Sequence, residues 1–554
     1  MTLLSVDHPV ALVVATGVIS LVYLLIQKAL FAHHDAREPP LAPQSIPIIG
    51  HLIGMSKRKY NYVVDLYKQT NLSIMTLPLP GQKMYIITKP DLIQQVQKQH
   101  KTLSSAPIMV KFSNRICGAS PEARAITSTN IFNDDGILAH IHHAITAGTK
   151  PGPALDDMNR SMIKEIARAL DDLQPQPQQD DKDPSRTIGL HTWLKDTITV
   201  ATTRSVWGPL NPFKDKTIAA AFWTFESGLM SVLLSPFPSL TSHKAVSGRE
   251  KVADAFEAYY KAGGHTHPET AQLTKLRYEV NTAHEIPPRD IARFEVASAI
   301  AVLVNTVPTA FWTIFFLASN PDLLRDIRKE IDACTETTTL TSPSGQKITK
   351  KTIHLTTLKE TCPLLLSAYQ EVLRHRSIGA SVREVVQDTY LDGHYLLKRG
   401  VMMQMPARVV HMDEGLWGAE AAEFRATRFL ADQKKNRPRD ACFRGFGGGK
   451  SLCPGRHFAT NEVLAVAAVF LARFDVAPVD GKNKKGGWEL PSTENTNVAA
   501  TVLEPDHDVE VRVRTRAGFE GVEWDVRLDG DGGTPGKVFA MVTEDLADND
   551  TGAQ

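Results

Sequence analysis

The sequence predicts a mainly α-helical protein with small β-sheets, an α+β fold, preceded by an N-terminal transmembrane helix. Long helical patterns dominate from about residue 155 to 375, whereas short strand signals stand at 73–77, 84–87 and 509–513. Near the N-terminus, residues 10–26 are uncharged and rich in Val, Leu and Ile, and the apolar run resumes after Lys28. This length approaches the ~20 residues that span a bilayer, with Lys28 reaching the interface.

The residues around the apolar segment indicate its orientation. Five Lys and Arg residues follow between positions 28 and 59 and none precedes it, which predicts an external N-terminus and a cytoplasmic main domain. A cleaved signal peptide is the alternative, but Asp7 precedes the segment and no small-x-small cleavage site follows. The prolines at 39, 40 and 43 predict a stiff, extended hinge. We therefore divide the chain into an anchor at 1–33, a hinge at 34–58, one large domain at 59–517 and an acidic, Gly-rich tail at 518–554.

Composition excludes several classes of protein. The 62 basic and 61 acidic side chains give a net charge of +1, which does not support a nucleic-acid partner. The five cysteines are scattered, so they predict neither a disulfide framework nor a zinc site, and they suit a reducing compartment.

A glycine-rich loop at 446–456 presents one cysteine directly before a long apolar helical pattern. Glycines let a backbone run close to a flat cofactor, and a helix N-terminus stabilises a thiolate at Cys453. One alternative is a phosphate-binding loop, but its first glycine would fall on Arg444. The other is a buried structural cysteine.

This loop resembles the haem-ligand loop of the cytochrome P450 family, which reads Phe-x-x-Gly-x-Arg-x-Cys-x-Gly. Phe446, Gly449, Cys453 and Gly455 match, whereas Ser451 stands at the arginine position. The resemblance covers roughly residues 35–515. It implies the P450 fold, haem b as cofactor, Cys453 as thiolate ligand of its iron, and Phe446 and Gly455 as cofactor-binding residues.

Four basic or acidic residues complete the expected cofactor site. Glu371 and Arg374 are three apart on a helical pattern and share one face, which most often means an exposed pair. The resemblance implies instead a buried network with Arg428 that supports the haem loop. It also implies that Arg383 contacts a haem propionate, the alternative being a surface arginine on a strand. Lys450 is the candidate that compensates for the missing loop arginine.

The long helix predicted at about 289–319 departs from most of the family. Most oxygen-activating members carry an acid followed by a threonine where this chain has Val307 and Pro308. The Asn-Thr-x-Pro pattern at 305–308 resembles the branch that holds cholesterol 7α-hydroxylase, sterol 12α-hydroxylase and prostacyclin synthase. That branch also lacks the loop arginine, so both departures indicate one branch, in a fungal-type microsomal member.

Pro308 predicts a bend in this helix, because it cannot donate to the carbonyl of Val304. Asn305 and Thr309 are then the candidate catalytic residues, as polar groups for proton delivery. For Thr309 the alternative is a hydroxyl that bonds back to its own helix.

The resemblance implies a membrane-bound haem-thiolate monooxygenase that inserts one oxygen atom of dioxygen into a small apolar substrate, such as a sterol, a terpenoid or another secondary metabolite. No flavin or nicotinamide motif stands in the sequence, so electrons are expected from a separate NADPH-cytochrome P450 reductase. The expected location is the endoplasmic reticulum membrane, with a single span in contact with membrane lipid. Two alternatives stay open: a haem-thiolate isomerase or dehydratase that acts on a peroxide without dioxygen or reductase, and a non-catalytic membrane haem sensor.

Overall fold

The structure is a computed structural model that describes residues 13–23, 34–47, 49–175, 184–341, 347–436, 438, 440–479 and 487–528. Its helices are α1 (Val13–Tyr23), α2 (Gly50–Arg58), α3 (Asn61–Thr70), α4 (Pro90–Lys98), α5 (Ala106–Cys117), α6 (Pro121–Ser128), α7 (Ile137–Thr149), α8 (Pro153–Leu173), α9 (Leu190–Trp207), α10 (Lys216–Ser227), α11 (Leu229–Leu234), α12 (Pro238–Thr241), α13 (His243–Lys261), α14 (Gln272–Ala283), α15 (Pro288–Leu303), α16 (Thr306–Ala318), α17 (Pro321–Ala333), α18 (Leu355–Thr361), α19 (Pro363–Arg376), α20 (Ala407–His411), α21 (Glu414–Trp417) and α22 (Arg456–Arg473).

The strands are short and form small sheets. They are β1 (Ile74–Leu79), β2 (Gln82–Ile87), β3 (Leu103–Ser104), β4 (Ser185–Gly189), β5 (Thr335–Thr341), β6 (Lys347–His354), β7 (Ala380–Val385), β8 (Thr389–Leu391), β9 (Tyr395–Leu397), β10 (Met402–Pro406), β11 (Phe474–Pro478), β12 (Glu510–Thr515) and β13 (Glu523–Arg527). The prediction of a mainly α-helical fold with small sheets is confirmed.

The chain divides into two units, and the first contains residues 1–105 and 380–410. Its five-stranded sheet has the order β1-β2-β10-β7-β3, with β2 and β10 parallel and the other pairs antiparallel. The predicted hinge is attached to this sheet, because Tyr85 donates to the buried carboxylate of Glu38 at 2.6 Å and Lys83 pairs with the same carboxylate. The hinge is not extended throughout, since α2 lies within it.

The second unit contains residues 106–379 and 411–554 and is built from packed helices. Helix α22 is buried along most of its length and packs against α8, α16 and α17. Helix α16 is also buried along most of its length and packs against α9 and α19, so α16 and α22 form the centre of the unit.

Two three-stranded sheets complete this unit, in the orders β11-β12-β4 and β13-β6-β5. The second sheet changes two expectations from the sequence. The Thr, Ser and Lys composition of residues 335–351 predicts a polar insertion, but Thr335–Thr341 and Lys347–His354 pair as the antiparallel strands β5 and β6, because threonine suits strands. The segment after 518, predicted as a loose tail, contributes β13, which pairs in parallel with β6.

Among the described residues, one helical stretch passes the length and hydropathy test for a membrane span, namely Pro288–Ala318, and it is mostly buried in the protein. Such burial is expected of a core helix. Of the predicted anchor at 1–33, the structure describes α1, a shorter apolar helix whose side chains are exposed, with Val13 71% exposed. The rest of the predicted anchor, like the predicted tail beyond 528, lies outside the described residues.

Candidate haem site

Cys453 lies in a tight loop of the second unit, directly before α22. Its N–H donates to the carbonyl of Phe446 at 2.9 Å, which closes the loop on itself. Gly447 has a φ of +83°, and a Cβ there would lie 2.8 Å from the carbonyl oxygen of Ser451. The closed loop therefore requires glycine at 447, for reasons of both conformation and space.

The next glycine keeps space beside the sulfur. Gly455 precedes the first residue of α22, and within the part of the chain that the structure describes a Cβ added to it would meet only the Cys453 sulfur within 4 Å, at 4.0 Å. The bare backbone thus leaves room for a flat group next to the thiol. Phe446 is half-buried, and Lys450 is exposed, in a 3₁₀ turn at Gly449–Ser451.

The surroundings of Cys453 oppose a free thiolate. Burial raises the pKa of the Cys453 thiol, while the Gly455 N–H and the Arg456 charge lower it. Arg456 also donates to the Cys453 carbonyl at 3.2 Å. A bound metal cation reverses this balance, because a coordinating thiol is deprotonated.

A buried ion network stands next to this loop in the same unit. Arg374 forms a bidentate pair with Glu371, Nε to Oε2 at 2.7 Å and Nη2 to Oε1 at 2.8 Å. Arg428 donates from Nε to Glu371 Oε1 at 3.0 Å, and the Arg425 N–H reaches the same oxygen at 3.0 Å. Glu371 and Arg374 are fully buried. The structure thus brings together the three residues that the sequence analysis grouped.

His411 connects the network to the cysteine loop, although no motif in the sequence marks it. Arg374 Nη1 donates to the His411 carbonyl at 2.6 Å, and the Arg444 N–H donates to His411 Nε2 at 2.9 Å. Because Nε2 accepts this hydrogen bond, Nε2 carries no proton. Its ring also stacks on Phe443, with centroids 6.0 Å apart. The network therefore fixes the backbone at 443–444, where the chain enters the cysteine loop.

The long helix is interrupted where Pro308 predicts a bend. Helix α15 ends at Leu303 and α16 begins at Thr306. The carbonyl of Val304, four residues before Pro308, has no proline N–H to accept.

The two candidate catalytic residues lie at this interruption. The Thr309 hydroxyl donates to the Asn305 carbonyl at 2.7 Å, which is the back-bonded arrangement considered for it. The Asn305 side-chain oxygen accepts the Thr501 N–H at 2.8 Å. Because Oδ1 is held by Thr501, the Nδ2 group is the part of Asn305 that remains as a donor.

The segment that holds Asn305 is itself fixed within the second unit. Trp312 Nε1 donates to the carbonyl of Leu503 at 2.6 Å, and the Leu503 N–H donates to Arg376 at 2.9 Å. Asn497 Nδ2 donates to the buried carboxylate of Glu226 at 2.8 Å. Residues 497–503 therefore tie α16, α19 and α10 together.

Arg383 lies on β7 of the first unit and is 1% exposed. Its Nη1 donates to the carbonyl of Leu103 at 2.9 Å, while its Nε has no hydrogen-bond partner among the described residues. Burial lowers the pKa of Arg383. The interpretation of Arg383 as a surface arginine is wrong, because the side chain is buried, and its unused Nε–H leaves a donor for an anion.

The cysteine loop fits haem b chemically, because a thiol beside a bare glycine suits a ligand to its iron. The positive charge of Lys450 reaches His142 on α7. Burial is the main cause that lowers the pKa of His142, followed by the charges of His143 and Lys450.

Comparison with known proteins agrees with this chemistry. The family model "Cytochrome P450" matches residues 39–496. The chain is 35% identical over 510 residues to the cytochrome P450 monooxygenase nodJ of Hypoxylon pulicicidum, covering 90% of this chain and 94% of that protein. It is 28% identical over 521 residues to a cytochrome P450 monooxygenase of Gibberella zeae, covering 90% and 93%. The 25-hydroxycholesterol 7-alpha-hydroxylase of Rattus norvegicus is 24% identical over 451 residues, covering 76% and 98%. On a family match over most of its length, this chain belongs to the cytochrome P450 family, as a haem-dependent monooxygenase of fungal type near the 7α-hydroxylase branch, with haem b on a cysteine thiolate.

Proposed function

We propose that Cys453 is the iron ligand and that the protein inserts one oxygen atom of dioxygen into a small apolar substrate. The observation that carries this is the closed loop at 446–455, which presents the sulfur beside Gly455 at the start of α22. When bound, haem b with a thiolate ligand activates dioxygen, because the thiolate pushes electron density onto the iron and favours O–O cleavage. Family membership implies a small-molecule substrate and a redox partner.

The other residues have distinct roles in this proposal. Glu371, Arg374 and His411 hold the chain that enters the loop, and so position Cys453. Arg383 supplies a buried N–H to a propionate, and Lys450 adds a positive charge near the loop. Phe446 anchors Cys453 through its carbonyl.

Asn305 is the residue that we propose for proton delivery. Its side-chain oxygen accepts the Thr501 N–H, which leaves the amide N–H group of Asn305 as the donor that we assign to the reaction with dioxygen. The Thr309 hydroxyl is bonded to the Asn305 carbonyl. It therefore positions the backbone at the helix interruption, and donates a proton only when this bond opens.

The substrate class, the membrane and the electron source are further parts of the proposal. The substrate is a sterol, a terpenoid or another secondary metabolite, supported by the similarity to a 25-hydroxycholesterol 7-alpha-hydroxylase and to fungal monooxygenases. Residues 1–33 anchor the protein in the endoplasmic reticulum membrane with the domain in the cytoplasm. There an NADPH-cytochrome P450 reductase supplies electrons.

Replacement of Cys453 tests the ligand assignment. Cys453→Ser removes the thiolate, so the reduced carbon-monoxide complex should lose its red-shifted thiolate-type absorption band. Cys442→Ser is the matched control, since Cys442 is a buried cysteine in the same region and should keep the band. A Cys453→Ser protein with full haem content and an unchanged band would refute the assignment.

Product analysis tests the reaction. Membranes that contain the protein and a reductase, fed with sterols and terpenoids, should form a product one oxygen atom heavier, dependent on NADPH. The back-bonded Thr309 hydroxyl favours the second candidate, a peroxide isomerase or dehydratase, because that reaction does not need protons to be delivered for the reduction of dioxygen. Turnover of a peroxide substrate without reductase would establish that candidate instead.

A further inference from the structure

Two cysteines that are far apart in the chain meet at a helix junction of the second unit. Cys334 follows the last residue of α17, and Cys362 directly precedes the first residue of α19. Their sulfur atoms are 3.5 Å apart. The hairpin β5–β6 and helix α18 lie between them in sequence, so the contact is created by the fold.

The two thiols have different surroundings. Cys362 is fully buried, whereas Cys334 is half-buried and open to small solutes. A hydrogen bond with Cys362 lowers the pKa of Cys334 to about 7, against burial and the charge of Glu330, which raise it. The same contact, with burial, raises the pKa of Cys362. Cys334 is the more exposed sulfur and is the one that a small oxidant reaches first, which makes it the nucleophile of the pair and Cys362 the resolving thiol.

We propose that Cys334 and Cys362 form a reversible dithiol–disulfide pair whose oxidant is hydrogen peroxide. The Cys334 thiolate attacks one peroxide oxygen, the S–O bond forms, the O–O bond breaks, and the released hydroxide takes a proton to become water. The Cys362 sulfur then attacks the Cys334 sulfur, the S–S bond forms, and the S–O bond breaks with loss of a second water. Two thiols lose two electrons and two protons, and one peroxide becomes two waters.

Geometry and chemistry both support the pair. A disulfide bond is about 2.05 Å long, so the sulfurs must approach by only about 1.5 Å from their present separation. Cys334 is the C-cap residue of α17, where its N–H donates to the Glu330 carbonyl at 3.3 Å, so an adjustment of its backbone involves only the last turn of that helix. Hydrogen peroxide is the product when a monooxygenase passes electrons to dioxygen without oxidising its substrate, so uncoupled turnover of this protein supplies the oxidant.

The junction that the bond would close is also the start of the helix that carries the ion network. The Glu330 carboxylate of α17 accepts the N–H groups of Leu364 and Leu365, at 3.0 to 3.1 Å, in the first turn of α19. A bond between Cys334 and Cys362 would add a covalent link to this polar contact. Oxidation should therefore slow the separation of α17 from α19.

Mass spectrometry of the full-length haem protein tests the pair. The protein is treated with one equivalent of hydrogen peroxide, alkylated and digested without reductant, with the carbon-monoxide band recorded to show that the haem site persists. A peptide that joins Cys334 to Cys362 should appear, two hydrogens lighter than the separate peptides, and should vanish on treatment with dithiothreitol. Catalase added before the peroxide should abolish the link.

Single substitutions assign the two roles. In Cys362→Ser, the Cys334 sulfenic acid should persist and be trapped by dimedone, whereas in Cys334→Ser neither the link nor a sulfenic acid should form at Cys362. Cys117→Ser is the matched control and should form the link as the unchanged protein does, since Cys117 is a buried cysteine elsewhere in the unit. Two results would overturn the proposal: full alkylation of both thiols after peroxide, or oxidation of Cys334 to sulfinic acid in the unchanged protein as fast as in Cys362→Ser.

Discussion

Removal of the Glu371 carboxylate should destabilise the protein far more than an ordinary ion pair would suggest. The carboxylate is fully buried and accepts hydrogen bonds from the side chains of Arg374 and Arg428 and from the Arg425 backbone. Breaking a buried pair by removing one partner costs about 3–5 kcal/mol, because a buried charge is left without compensation. Glu371→Ala leaves two such guanidinium groups, so we expect about 5 kcal/mol, which rivals the whole stability of many domains.

A surface pair with the same spacing provides the comparison. Glu165 and Arg168 are also three apart on a helix and 2.8 Å from each other; the Glu165 side chain is 12% exposed, but the Arg168 side chain is 60% exposed and stays solvated when the carboxylate is removed. Exposed pairs contribute about 0–1 kcal/mol, so Glu165→Ala should be nearly silent. Both variants remove a glutamate that pairs with an arginine three residues later, and they differ in how deeply the remaining arginine is buried.

Urea unfolding and haem content of the purified proteins measure the difference. Glu371→Ala should lose haem and shift the unfolding midpoint strongly, while Glu165→Ala should keep both. Glu371→Gln retains the shape of the side chain and supplies a variant for measurement where the alanine protein does not accumulate. The reasoning is refuted if Glu371→Ala and Glu371→Gln both keep their haem and have free energies of unfolding within about 1 kcal/mol of that of Glu165→Ala.

Three further outcomes are expected. Burial raises the pKa of fully buried Glu462 from 4.5 to about 8, so its contribution to stability is complete below about pH 4.5 and is lost as the pH rises through 8, at about 1.4 kcal/mol per pH unit. The urea midpoints of Glu462→Gln, measured at about pH 5.5 and 7.5, should lack this pH dependence. A pH dependence equal to that of the unchanged protein would contradict the assignment to Glu462. Asn305→Ala should divert electrons to peroxide more than Thr306→Ala, measured as product formed per NADPH consumed, since general acid help is worth about 10²–10⁴-fold in rate, and Asn305→Asp should share the defect because it keeps the acceptor for Thr501 but loses the donor. Deletion of residues 1–33 should release the protein from integral membrane association with its haem spectrum intact, and extraction of the full-length protein by alkaline carbonate would contradict the anchor.

Local sequence patterns predicted the parts of the site that depend on spacing or on one special residue. Glu371 and Arg374 share a helix face because they are three apart, and Pro308 interrupts its helix because it lacks an N–H. Gly449 and Gly455 were recognised by their spacing from Cys453, whereas the requirement for glycine at 447 follows only from the closed loop in the structure. The pattern could not decide whether Thr309 faces oxygen or its own helix, since both arrangements use the same residue types.

The remaining features depend on contacts between distant parts of the chain. His411 belongs to no motif, and its role follows from a backbone N–H at Arg444. Cys334 and Cys362 looked isolated in sequence, because the hairpin between them conceals their closeness. The threonines at 335–341 indicated a polar insertion by composition, although β-branched residues in such a run also suit a strand.

The sheet that β13 completes makes two segments of the chain depend on each other. Strand β6 has β5 on one side and β13 on the other, so both of its edges are paired. A protein shortened before Glu523 would leave one edge of β6 with unpaired N–H and C=O groups, and an open edge is a template for pairing with another molecule. C-terminal tags should therefore follow residue 528, and shortened versions should aggregate even though their haem loop is complete. In related sequences, the hairpin and the C-terminal strand should be gained or lost together.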